Sequence, residues 1–79
     1  MYDKGAIRIL IADDHLMVRK GLSTLIQGVS DFILVGEAED GGQAIVMCRD
    51  LHPDVVLMDI VMPTINGIEA IRSIIAENP

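Results

Sequence analysis

An α/β fold built from three consecutive βα units on a parallel sheet is what this 79-residue sequence predicts. Three observations carry the expectation. Short apolar, β-branched runs recur at 7–12, 32–38 and 55–58. A stretch with apolar residues at helical spacing follows each run. The connections have the dozen or so residues that a parallel crossover needs.

Ile7 to Ala12 is bounded by Gly5 and by Asp13-Asp14, and its nearly continuous apolar run reads as a strand covered on both faces. Leu16, Met17, Leu22, Leu25, Ile26 and Val29 then recur at helical spacing, with Arg19, Lys20 and Gln27 between them; Gly28 and Ser30-Asp31 end the helix. Phe32 to Ala38 returns to strand composition, and Glu37 and Glu39 are expected to take its tail into water. Asp40, with Gln43 three residues on, has the form of a capping box. Ala44, Ile45, Cys48 and Leu51 share one face of the second helix, which Pro53 forbids to continue. Val55 to Met58 is the third and most apolar strand. A loop holding Pro63 follows, Asn66 with Glu69 gives a second cap signature, and Ile68, Ile71, Ile74 and Ile75 form the last apolar stripe. Asn78-Pro79 has the character of a loop beginning.

Right-handed crossovers allow the second strand to lie on one side of the first and the third on the other. In such a 2-1-3 order the gap between strands one and three is a topological switch point, and ligands bind there, beyond the carboxyl ends of the strands.

Composition narrows the function. Ordering 79 residues costs on the order of 120 kcal/mol, at roughly 1.5 kcal/mol per residue, and a chain this short has a marginal core. A single cysteine, Cys48, excludes an internal disulfide, and with two histidines a Cys/His zinc site is not available. The chain relies on aliphatic burial: 51% of residues are hydrophobic and 3% aromatic, namely Tyr2 and Phe32. A net charge of −6 with six dispersed basic residues argues against nucleic acid and against a membrane surface. No apolar run reaches a membrane-spanning length, and Arg8 interrupts the only early apolar stretch, so a cytoplasmic protein without a signal peptide is expected.

Asp13 and Asp14 end the first strand and Asp59 ends the third. Taken singly, each reads as a turn or cap residue. Under the 2-1-3 order all three enter one crevice, where their mutual repulsion calls for a hard cation. Mg²⁺ suits such a site, because it accepts one or two carboxylates, keeps several waters and is completed by phosphate oxygens. An aspartate beside it could attack a phosphoryl donor. Other residues have plainer readings. His15 starts the first helix and is disfavoured as a ligand of Mg²⁺, which prefers oxygen. His52 is a helix-end residue facing the dipole. Cys48 is a small core residue, and Met17, Met47, Met58 and Met62 are packing. Gly36, Gly41 and Gly42 form no GxGxxG, and no GK[ST] is present, so neither nucleotide loop is predicted.

Ile-Leu-Ile-Ala-Asp-Asp-His (9–15), Gly-Glu-Ala-Glu-Asp-Gly (36–41) and Val-Leu-Met-Asp-Ile-Val-Met-Pro-Thr-Ile-Asn-Gly-Ile-Glu-Ala (56–70) resemble the receiver domain of two-component response regulators. The likeness is to the branch carrying a LuxR- or NarL-type DNA-binding domain, and it runs without gaps from about Ile7 onward. It implies a flavodoxin-like parallel sheet in 2-1-3 order. It implies that Asp59 is the phosphoacceptor, that Asp14 contacts Mg²⁺ directly, that Asp13 reaches it largely through water, and that the backbone carbonyl of Val61 is a further ligand. Pro63 and Gly67 correspond to residues that shape the loop.

A complete receiver has five βα units, whereas 1–79 corresponds to three. The expectation is therefore a partial receiver domain lacking β4-α4-β5-α5, with the Thr or Ser and the Lys that those strands supply. The function implied is that of a phosphoacceptor module, not an enzyme. A sensor histidine kinase would phosphorylate Asp59 in the presence of Mg²⁺, controlling a transcriptional output domain outside this chain. A haloacid-dehalogenase-type phosphotransferase would need a second Asp where Val61 stands. The alternative is a non-catalytic fragment acting only through self-association: the outer edge of the third strand, Val55 to Met58, would be open and would pair or exchange with a second copy across a two-fold axis.

Overall fold

The computed structural model describes residues 5–59, 61 and 67–77. Tyr2, Met62, Pro63, the predicted Asn66 cap and Asn78-Pro79 lie outside the described residues. The elements are β1 (Ile7–Ala12), α1 (Leu16–Gln27), β2 (Phe32–Ala38), α2 (Gly41–Leu51), β3 (Val55–Met58) and α3 (Gly67–Glu77). All pairings are parallel and the sheet order is β2-β1-β3, so the 2-1-3 expectation holds. Among the described residues no helix is long and apolar enough to cross a membrane.

β1 is the central strand, and its apolar run is buried from Ile9 to Ala12. Its two faces serve two small cores. Ile9 and Ile11 pack with Ile26 of α1, flanked by Leu22, Phe32 and Leu34. Ala12 packs with Ala38 and Ala44, flanked by Met47 and Met58. Burial of these side chains stabilises the fold by about 25 cal/mol per Å² of apolar area removed from water.

Between Ile9 and Leu10 the β1–β2 register shifts: Ile9 faces Leu34 but Leu10 faces Gly36, leaving Val35 as an extra residue. Gly36, next to that irregularity, lies so close to its neighbours that an added Cβ would sit 3.2 Å from both Leu10 Cδ1 and Leu51 Cδ1. Any larger residue here would press on both leucine side chains, which would have to give by a few tenths of an ångström.

The ends of α2 follow their local chemistry. The Asp40 carboxylate accepts from the amide of Gln43 at 2.8 Å, and the Gln43 side chain accepts from the amide of Glu39 at 2.9 Å, a capping box reaching one residue further back than expected. At the other end His52 adopts a left-handed conformation (φ 49°), its amide donating to the Cys48 carbonyl and its carbonyl accepting from Arg8 Nη1 at 2.7 Å. His52 thus closes the helix through its backbone rather than through a ring charge. α3 leans on α2, with Arg49 and Glu77 paired at 3.0 Å.

α1 departs from the reading of its apolar positions. Met17 is 82% and Leu25 70% exposed, and Leu16 and Val29 are exposed too. The face turned to the sheet is Arg19, Leu22, Ser23 and Ile26, a three-and-four spacing that mixes polar with apolar residues. Arg19 is only 8% exposed because its guanidinium has fixed partners: Nη1 donates to the Asp13 carbonyl at 2.8 Å and Nε to Glu37 at 3.2 Å. Glu37 therefore does not simply run into water; it holds Arg19, with Lys20 3.4 Å away. The stripe of α3 is likewise only partly covered: Ala70 is buried, Ile74 is half-buried, and Ile68, Ile71 and Ile75 are exposed.

Two stability changes follow. Gly36→Val drives methyl groups into Leu10 and Leu51 and is expected to cost about 1–3 kcal/mol. Arg19→Met deprives the Asp13 carbonyl and Glu37 of their donor, with an expected cost of about 1–3 kcal/mol. Urea unfolding followed by far-ultraviolet dichroism measures both as lowered midpoints.

Candidate functional site

The carboxyl ends of β1 and β3 lie side by side because Ala12 faces Met58 in the parallel ladder. The next residue of each strand is an aspartate, and the backbone ties them to the sheet. The Asp59 amide donates to the Ala12 carbonyl at 2.9 Å, and the Asp13 amide to the Ala38 carbonyl at 3.0 Å. Asp14 follows at once, and His15 is the N-cap of α1. Asp13 and Asp59 also line a crevice of about 400 Å³ whose walls include Leu22, Leu57 and Met58.

One ligand-type atom from each of Asp13, Asp14, His15 and Asp59 lies within 4.8 Å of the others. The three aspartates singled out in the sequence are therefore brought together. Asp13 is buried, Asp59 is half-buried and Asp14 faces solvent. The fourth predicted participant, Val61, is represented by its amide, which donates to Asp59 Oδ1 at 3.2 Å and so helps to orient that carboxylate.

His15 stands at the centre of the group. Its Nδ1 lies 2.8 Å from Asp13 Oδ1, 3.2 Å from Asp14 Oδ1 and 3.5 Å from Asp59 Oδ2, and its amide donates to Asp13 Oδ1 at 2.8 Å. The hydrogen bond to Asp13, then the charges of Asp14 and Asp13 and more weakly that of Asp59, raise the ring's pKa above its ordinary value against the opposing effect of desolvation. Burial pushes the Asp13 carboxyl up, but the hydrogen bonds from the His15 amide and ring, with the charges of His15 and Arg19, outweigh it and leave the pKa lowered.

Three contributors escaped the sequence reading. His15 is the helix start that the sequence predicts, yet its ring turns back into the acidic group. Arg19, which the spacing sets between apolar positions, and Glu37, which is expected in water, instead pair behind Asp13, Arg19 buried and Glu37 half-buried. The one available signal was position: Arg19 is a single helical turn beyond His15, and Glu37 lies one residue before the end of β2. Neither spacing identifies a partner without the strand order.

The donor set consists of carboxylate oxygens on strand ends, the chemistry that suits a hard divalent cation. The arrangement can neutralise such an ion from three sides and present an Asp59 oxygen beside it.

Comparison with known proteins agrees with this geometry. The family model described as "Response regulator receiver domain" matches residues 9–79. The transcriptional regulatory protein YdfI of Bacillus subtilis (strain 168) is 46% identical over 67 residues, covering 85% of this chain and 32% of YdfI. A LuxR-family two-component response regulator from Aurantimonas sp. SI85-9A1 superposes with a TM-score of 0.87 at 39% identity, over 94% of this chain and 53% of that one. The CheX-CheY-BeF3-Mg+2 complex from Borrelia burgdorferi gives a TM-score of 0.83 at 27% identity, over 91% of this chain and 55% of that one. The chain thus spans about a third of the length of the curated relatives it matches. From the sheet order, the acidic group at the strand ends and a match running from β1 onward, the chain belongs to the response regulator receiver domain family, a class of signalling modules rather than enzymes.

Proposed function

We propose that this chain is the phosphoacceptor portion of a cytoplasmic response regulator, a partial receiver domain over residues 1–79. Asp59 takes a phosphoryl group from a sensor histidine kinase, and the resulting change of state governs a transcriptional output domain. The observation that carries this reading is the convergence of Asp13, Asp14 and Asp59 at the carboxyl ends of adjacent strands in a chain of this family. The kinship with YdfI supports a transcriptional output.

The residues would divide the work as follows. Asp14 and Asp59 offer direct carboxylate ligands for Mg²⁺, Asp13 acts largely through water, and the Val61 carbonyl adds a main-chain oxygen. The cation, when bound, offsets the charge of the carboxylates and of an incoming phosphoryl group. An Asp59 oxygen attacks phosphorus, forming an acyl phosphate as the bond from phosphorus to the donor's nitrogen or oxygen breaks and the donor leaves with that electron pair. The Val61 amide holds the other Asp59 oxygen in place. Arg19 and His15 fix Asp13 from behind and beside.

A second activity, self-association, is favoured by the exposed flank of β3. Among the described residues β3 pairs only with β1, and beside it Val56, Met58, Ile71, Ile74 and Ile75 line an apolar groove. A second copy adding its own β3 across a two-fold axis would complete the hydrogen bonding of that edge and cover the groove.

Incubation with acetyl phosphate and Mg²⁺ is expected to add one phosphoryl mass by intact mass spectrometry. Asp59→Asn is expected to abolish it, and chelation of the metal to reduce it at least tenfold; a folded chain that gains no phosphoryl group would favour the purely associative role. Sedimentation velocity at micromolar concentration is expected to show a concentration-dependent dimer that Val56→Lys returns to monomer, whereas a compact wild-type monomer would remove the associative reading.

A further inference from the structure

We propose that Arg19 and Glu37 are positioning residues for the acidic crevice: through the Asp13 carbonyl they hold the peptide that leads into Asp14, and so set how tightly the crevice takes Mg²⁺ without touching the ion. The inference rests on the reading of the three aspartates as a Mg²⁺-dependent phosphoacceptor site.

Neither residue belongs to the group that converges at the strand ends. Arg19 is on α1 and Glu37 on β2, yet one guanidinium joins both to the end of β1. Its Nη1 donates to the Asp13 carbonyl at 2.8 Å and its Nε to Glu37 Oε1 at 3.2 Å. The donors of arginine sit in a rigid planar fork, so two bonds to partners on different strands leave it little freedom. Only 9% of the Arg19 side chain and 21% of that of Glu37 is exposed, so water competes weakly for either bond.

A peptide unit is planar, and the Asp13 carbonyl and the Asp14 amide therefore move as one body. On the other side of Asp13, its own amide donates to the Ala38 carbonyl at 3.0 Å. The backbone at Asp13 is thus held on both sides, and both restraints lead to β2, one directly and one through Arg19 and Glu37. What the second restraint fixes is the point from which Asp14 departs. Asp14 faces solvent and takes little orientation from packing, so its direction comes from its backbone. Groups that orient metal ligands from behind typically change affinity about 10–100-fold when removed.

Charge and position predict opposite signs at Arg19. A positive charge beside three carboxylates repels a cation, so on charge alone its removal tightens Mg²⁺ binding. Removal of a group that holds the ligand backbone weakens it. Lys20, exposed and 3.4 Å from Glu37, is the charge-matched control for Arg19. Glu39, exposed just past the end of β2, is the control for Glu37.

The test is titration of the full chain with MgCl2, followed by backbone ¹H–¹⁵N spectra, for wild type, Arg19→Met, Glu37→Gln, Lys20→Met and Glu39→Gln, with far-ultraviolet dichroism to confirm folding. The half-saturating Mg²⁺ concentration is expected to rise about tenfold in Arg19→Met and about threefold in Glu37→Gln, which keeps an acceptor for the guanidinium, and to stay within about twofold of wild type in both controls. The double variant should match Arg19→Met alone, because Glu37 acts through the arginine. Unchanged or tighter Mg²⁺ binding in folded Arg19→Met, or an effect of Glu37→Gln no larger than that of Glu39→Gln, would overturn the proposal even where the urea midpoint falls. Should Arg19→Met not fold, the comparison of Glu37→Gln with Glu39→Gln decides. Labelling of the wild type by acetyl phosphate separates the two levels. Mg²⁺-dependent labelling with unaltered affinity in the variants sinks the positioning role alone. Weakened Mg²⁺ binding in the variants of a chain that is never labelled upholds it and counts against the phosphoacceptor, whereas a wild type that neither binds Mg²⁺ nor is labelled removes both.

Discussion

Parallel pairing of β1 with β3, with Ala12 opposite Met58, is the constraint on which the candidate site depends. It turns two residues separated by 46 positions in the chain, Asp13 and Asp59, into neighbours, and the Asp59 amide bonds to the last carbonyl of β1. No local preference produces that juxtaposition. It follows from two crossovers of one hand placing β2 and β3 on opposite sides of a central strand that is apolar and buried from Ile9 to Ala12.

Such a pairing gathers negative charge where a fold would ordinarily avoid it, and the surroundings show how the cost is met. Asp13, the most buried of the three, has the largest support: the His15 amide and ring on its carboxylate, and Arg19 on its carbonyl. Arg19 is in turn anchored by Glu37, so a buried cation is paired and hydrogen-bonded rather than isolated. Asp14 and Asp59 have thinner support and keep more contact with solvent, where their charge costs little. The gradient suits a site in which one acid is structural ballast and the other two stay available to an incoming group.

Much of this was legible in the residues. Runs such as Ile7–Ala12 and Val55–Met58 read as strands, although only the first is buried, from Ile9 to Ala12; Asp40 with Gln43 signals a helix start, and Asp at two strand ends marks the crevice once the order 2-1-3 is assumed. The apolar face of α2 was read correctly from Ala44, Ile45 and Cys48. What failed was the reading of helices whose apolar residues outnumber their buried positions. α1 and α3 carry more aliphatic side chains than one face can cover, so spacing could not choose among them, and Arg19 and Ser23 took buried positions through hydrogen bonds that composition does not reveal. The same holds for His15: its neighbours in sequence were evident, but that its ring folds back over them depends on the turn leading into α1.

The irregularity at Val35 sets which way the tail of β2 faces. Before it, Phe32 and Leu34 side with α1; after it, Gly36 and Ala38 side with α2, and Glu37 reaches across to Arg19. In an uninterrupted strand the alternation would run the other way from residue 36 onward. The extra residue therefore acts as a parity switch: it turns the tail of β2 over, so that an acid meets the arginine behind Asp13 and two of the smallest side chains meet the tightly packed α2. Absorbing Val35 into a regular ladder would behave like a reading-frame error confined to a single strand, trading Glu37 into an aliphatic layer and stripping the acidic crevice of its anchor without touching any of its own residues.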